Sequence, residues 1–182
     1  MLEHSELRLL PWIWRRSDAA APLSGWLRVV KAAGSAEELG SVRLVRGATW
    51  LGCGPRRLEV CETEDAALLM TLEHGWFAFG NWQVLDAERR RVGGVVGAHV
   101  LEDQGSRFAT VWHDGETRLT VRRTNGAVCA HIESRSDGTT WLRFPEDLPA
   151  NPFLRMVLLG TCILQAPAPP RDAVRDRETS RG

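Results

Sequence analysis

Four of the five histidines (His74, His99, His113 and His131) and four cysteines (Cys53, Cys61, Cys129 and Cys162) are the side chains here that could hold zinc. None of the cysteines forms a Cys-x-x-Cys pair. No two of the eight stand at ligand spacing, unless the strands bearing His113 and His131 pair. A serine nucleophile would need a Gly-x-Ser-x-Gly elbow or an equivalent context, and no such motif is present. Cys162 lies in an apolar run, where a thiol behaves as a small hydrophobe. The segment 93–97, Gly-Gly-Val-Val-Gly, lacks the Lys-Ser/Thr ending and the following helix of a phosphate loop. These residue types point away from catalysis, and no cofactor is expected.

Arginine is the chemistry that remains. Arg89, Arg90 and Arg91 form the sharpest cluster, with smaller ones at Arg15-Arg16, Arg56-Arg57 and Arg122-Arg123. A guanidinium matches phosphate geometry, so a loop carrying three could engage an anionic lipid headgroup. The competing reading is a solvated turn whose charges are balanced by Asp86 and Glu88. Trp12, Trp14, Arg15 and Arg16 combine amphipathic aromatics with cations, the composition of membrane interfaces. The competing reading there is a segment that packs its tryptophans on the body of the protein. Pro11 rules out a long amphipathic helix. The 23 basic and 23 acidic residues cancel, so no overall field draws nucleic acid.

What must position these residues is mostly β-structure. The dipeptides Asp114-Gly115, Asn125-Gly126 and Asp137-Gly138 are tight-turn signals, recurring at the spacing of short antiparallel strands. Between them, Leu119 and Val121 alternate with the polar Arg118, Thr120 and Arg122, and Val128, Ala130 and Ile132 alternate with Cys129, His131 and Glu133. Trp141-Leu-Arg-Phe144 closes that series. Upstream, strands are expected over 25–31, 41–46, 57–62, 67–73, 82–85 and 91–101, with 86–90 as a polar turn. Gly93, Gly94 and Gly97 mark a bend or close backbone approach within 91–101. About ten strands need a sandwich or a closed barrel to dispose of their edges.

The period then changes. Asn151 suits an N-cap and Pro152 the first helical position, and an almost wholly apolar helix follows over 151–165. A helix apolar on nearly every side must be buried on nearly every side. Its longest apolar run, 156–164, is far short of the roughly 20 residues that span a bilayer, so no transmembrane span is expected. The economical fold is a closed antiparallel β-barrel threaded by this helix. Residues 1–24 read as an N-terminal extension, 25–165 as the barrel domain, and 166–182 as a disordered tail rich in Pro and Arg. The first residues do not read as a signal peptide, and the unpaired cysteines suggest a reducing, cytoplasmic setting.

Phe144-Pro-Glu-Asp-Leu148, followed by an apolar helix ending Leu-Leu-Gly-Thr-Cys-Ile-Leu164, resembles the C-terminal signature of the phospholipid scramblase family. Trp82-Gln-Val-Leu-Asp86 followed by Arg91-Val-Gly-Gly94 resembles the repeated hairpin of that family and of LURP-one-related proteins. The resemblance covers roughly 57–165 and implies the tubby C-terminal-like fold, a closed barrel around a central hydrophobic helix. In calcium-dependent scramblases an acidic loop precedes the Phe-Pro pair, and two of its acidic positions fall on Ser136 and Gly138 here. Asp137, Glu146 and Asp147 are the carboxylates left there for a calcium ion, so little calcium dependence is expected. The family's proline-rich N-terminal region and palmitoylated cysteines have no counterpart. The expected function is a non-catalytic, scramblase-like binding module, peripheral on anionic phospholipid or on a protein partner. The alternatives are transbilayer lipid movement and, last, a small-molecule enzyme.

Overall fold

The computed structural model describes residues 1–15, 25–46, 56–63, 67–74 and 81–167. Thirteen strands and one helix lie among them: β1 (Glu6–Leu9), β2 (Ile13–Arg15), β3 (Gly25–Ala32), β4 (Glu38–Arg46), β5 (Arg56–Glu62), β6 (Leu68–His74), β7 (Asn81–Asp86), β8 (Arg91–Val96), β9 (His99–Glu102), β10 (Arg107–His113), β11 (Arg118–Arg123), β12 (Val128–Ser134), β13 (Thr140–Arg143) and α1 (Pro152–Gln165). From β3 to β13 each strand pairs antiparallel with its neighbour in sequence. Closure comes from β1, which pairs with β13 (Leu7 opposite Leu142) and with β3 (Leu9 opposite Val30). The result is a closed twelve-strand barrel. Past Pro11, β2 runs on along β3, with Ile13 opposite Leu27. Residues grouped by sequence with an N-terminal extension thus contribute two strands, one of them the seam.

Strand alternation selects which side chains fill the barrel. Leu7, Leu9, Val30, Val42, Val60, Met70, Leu72, Val84, Val100, Ala109, Val121 and Leu142 are all fully buried. Each large apolar side chain so buried favours the fold by about 1.5–3 kcal/mol. The expected strand over 91–101 is divided by a turn at Gly97, whose φ of 57° suits glycine, into β8 and β9. The three sequence-read hairpins are present, joining β10 to β11, β11 to β12 and β12 to β13.

The helix sits inside. Asn151 caps it as expected, its side chain accepting from the backbone N–H groups of Phe153 (2.9 Å) and Leu154 (3.2 Å). Eight consecutive residues, Met156 through Ile163, are buried, which leaves no solvent-facing stripe. The helix packs on β7, β8, β12 and β13, and a Cβ at Gly160 would stand 2.9 Å from Leu72 of β6. Gly93 explains the closeness on β8. A Cβ there would stand 2.6 Å from a Val157 methyl and 2.7 Å from the Leu101 carbonyl oxygen. Ala166 ends the helix, its N–H bonding the Cys162 carbonyl, and Pro167 prevents another turn. Among the described residues no helix is long and apolar enough to cross a membrane.

Candidate functional site

At the end of the barrel where the helix enters, the β7–β8 turn is built around one carboxylate. Asp86 Oδ1 accepts from the Arg90 backbone N–H at 2.8 Å, and Oδ2 from Arg90 Nε at 2.7 Å. Partial burial opposes the Asp86 charge, but the Arg90 backbone and guanidinium bonds outweigh it and hold its pKa below the usual carboxylate range. Arg90 also reaches Glu88 at 2.9 Å, and Arg89 reaches Glu73 at 3.0 Å. Two of the three clustered arginines are therefore neutralised by neighbours, Arg90 by Asp86 and Glu88 and Arg89 by Glu73 of β6.

Arg91 differs. It has no ion-pair partner among the described residues, and its guanidinium lies over Gly94 and Gly105, 3.6 and 3.7 Å from where their Cβ atoms would stand. It borders a groove of about 600 Å³ between β8–β11 and the start of α1. The floor is apolar: Val92, Leu101, Phe108, Leu154 and Val157, with Phe153 46% exposed at the lip. Arg123 stands on the far side, its guanidinium 5.2 Å from the Phe108 ring centroid. Glu102 and Asp103 line the groove between the two arginines in strand order. Sequence reading noted Arg123 only as part of a minor pair and Phe153 only as a helix residue. The available signal for Phe153 was its place in the first helical turn, ahead of the buried stretch.

The tryptophan segment lies elsewhere. Trp12 donates from Nε1 to the Pro167 carbonyl at 3.0 Å, beyond the opposite end of α1, and its ring is 5.7 Å from the Arg28 guanidinium. Trp14 and Arg15 stand in β2 opposite Trp26 and Gly25, and Arg16 lies outside the described residues. The structure therefore separates Trp12 from the 89–91 cluster by the length of the helix. Arg28, unremarked in the sequence, is fully buried and points inward with Val30 and Ala32. It donates to the carbonyls of Leu10 and Gly138, the latter at 2.7 Å, tying the seam strand to the β12–β13 turn. Burial draws its pKa below the ordinary guanidinium value.

The remaining candidates are dispersed. Asp137 Oδ1 accepts from the Thr139 N–H at 2.8 Å within its turn, while Glu146 and Asp147 are exposed beyond β13. Among the described residues no three His, Cys, Asp or Glu side chains gather to hold a metal ion. The condition for joining His113 and His131 is unmet, because β11 lies between their strands. Burial pushes the Cys162 thiol up to about 12, and the thiols of Cys129 and Cys61 are raised by the same cause. None of these three is activated as a nucleophile. Thr120 Oγ1 donates to Asp114 and lies 3.4 Å from His131 Nδ1. The carboxylate there holds the hydroxyl and not the imidazole, which is not the relay of a nucleophilic triad.

No family model matches the chain, and no curated protein does. Among solved structures, the chain is similar to an X-ray structure of a protein from Arabidopsis thaliana, with a TM-score of 0.52 and 12% identity over 88% of this chain and 92% of that one. The likeness is one of fold.

Proposed function

We propose that this protein is a non-catalytic binding module that docks peripherally on anionic phospholipid through the helix-entry end of its barrel. The observation that carries the reading is the combination at that end: Arg91 and Arg123, with no ion pair among the described residues, beside exposed Phe153 and an apolar groove. Arginines attract lipid phosphate from a distance within the screening length of the solution, and an exposed aromatic can enter the headgroup layer. Arg89 and Arg90 contribute little to that attraction, because each is already paired with a carboxylate.

The test is co-sedimentation with vesicles of stated composition. Binding to vesicles containing 30 mol% phosphatidylserine should exceed binding to pure phosphatidylcholine and should weaken with added salt (roughly 8 Å screening length at 0.15 M). Phe153→Ser and Arg91→Gln should each reduce it while leaving the thermal melt in place. Equal sedimentation with both vesicle types would turn the reading toward a protein partner at the same surface.

A further inference from the structure

The groove lining carries four charges that remain after Asp86 and Arg90 have neutralised one another: Arg91, Arg123, Glu102 and Asp103. No ion pair joins any of these four among the described residues. Among the described residues, the Glu102 carboxylate accepts only from the Ser106 hydroxyl (3.0 Å), and the Asp103 carboxylate only from the Gln104 N–H (2.8 Å). The groove is therefore electroneutral overall but charge-separated, above a floor of Phe108, Leu154 and Val157.

We propose that this groove binds a single-chain amphiphile whose headgroup joins a phosphate to a primary ammonium group, as serine and ethanolamine headgroups do and the choline headgroup, with no N–H to donate, does not. The inference rests on the peripheral-binding reading above and names the ligand class for the same site. Its logic is complementarity by exclusion. A bare phosphate monoester meets the arginines but also the carboxylates of Glu102 and Asp103. A simple cation meets the reverse conflict. Only a headgroup with both charges satisfies both pairs, and a pocket that places unfavourable charge against the wrong ligand gains specificity from it. The phosphate falls to Arg91 and Arg123, which can each donate two charge-assisted hydrogen bonds. Asn151 and Phe153 border the groove, and the first helical turn holds no acidic residue to repel the phosphate. The ammonium falls to Glu102 and Asp103, and the first part of the acyl chain to the apolar floor. A cavity of about 600 Å³ lies within the range that holds small ligands.

The experiment is calorimetric titration of the full chain with lysophosphatidylethanolamine and with lysophosphatidate of the same acyl chain, both below the concentration of micelle formation. Lysophosphatidylethanolamine should bind at least ten-fold more tightly. The double variant Arg91→Gln/Arg123→Gln should weaken both lipids ten-fold or more, the loss expected when charge-assisted bonds to phosphate are removed. Glu102→Gln/Asp103→Asn should reverse the preference in favour of lysophosphatidate. Arg91, Glu102 and Asp103 are exposed and Arg123 is half-buried, and an unchanged melting temperature confirms each fold; the wild-type comparison stands without any variant. Tighter or equal binding of lysophosphatidate by the wild type, no saturable binding of either lipid, or unaltered affinity in the variants would overturn the proposal. Vesicle co-sedimentation of the same preparations separates the two levels. Vesicle binding without lysolipid binding overturns the groove assignment alone, whereas loss of both removes the peripheral reading as well.

Discussion

Replacing Gly93 with alanine tests whether the helix rests on β8 as closely as the geometry requires. The added Cβ would stand 2.6 Å from Val157 Cγ2 and 2.7 Å from the Leu101 carbonyl oxygen. The Val157 methyl can give way slightly, but the carbonyl belongs to β9, which pairs with β8 and cannot rotate aside. Overpacking of this kind costs about 1–3 kcal/mol. Alanine also restricts the unfolded chain, which returns about 0.4–1 kcal/mol. The expected net loss is about 1–2 kcal/mol, or a melting temperature lower by roughly 2–8 °C at this chain length. Thermal unfolding followed by circular dichroism would measure it, together with Val157→Ala and the double variant. Because Val157 supplies one of the two clashes, the double variant should lose less than the sum of the singles by about 0.5 kcal/mol or more. An unchanged melt for Gly93→Ala, or additivity with Val157→Ala, would refute the packing.

Leu159→Arg should prevent folding, because Leu159 is fully buried and a charge there has neither partner nor water; soluble protein with a native melt would show that the helix is not central. Asp86 has a depressed folded-state pKa, so its contribution is present above the ordinary carboxylate pKa of about 3.9 and is lost as pH falls through the folded value. Asp86→Asn should therefore show a flatter stability profile than the wild type on acid titration, and parallel profiles would contradict the assignment. Cys162 shows the opposite sense: its raised pKa means that stability holds below the unfolded thiol value of about 8.5 and declines as pH rises toward about 12. Cys162→Ala should remove that alkaline loss, and native Cys162 should resist iodoacetamide until the barrel opens.

The fold was legible because its signals are local. Turn dipeptides marked the last hairpins, and the uniform apolarity of 156–164 required a surrounding wall. The seam was not, since the inward positions of β1 are only Leu7 and Leu9, too few to display a period, and their meaning depends on β13, whose Leu142 faces Leu7 from the far end of the sequence. Arg28 was hidden for a similar reason: an arginine at an inward position contradicts alternation unless carbonyls from distant turns receive it. The candidate site was half visible. The 89–91 cluster could be seen, but which of its members stays unpaired depends on Glu73 from another strand. Glu102, Asp103, Phe108 and Arg123 share a groove only because four strand ends meet the helix start there.

Vesicle binding by the helix-entry end is the claim on which the functional account stands, and one comparison addresses it directly. Wild type, Arg91→Gln/Phe153→Ser and Arg89→Gln would be co-sedimented with phosphatidylserine-containing vesicles at low and physiological salt. The account predicts salt-sensitive binding by the wild type, near-complete loss in the Arg91/Phe153 variant, and a small loss in Arg89→Gln, whose guanidinium is already held by Glu73. Binding by the Arg91/Phe153 variant equal to that of the wild type would contradict it.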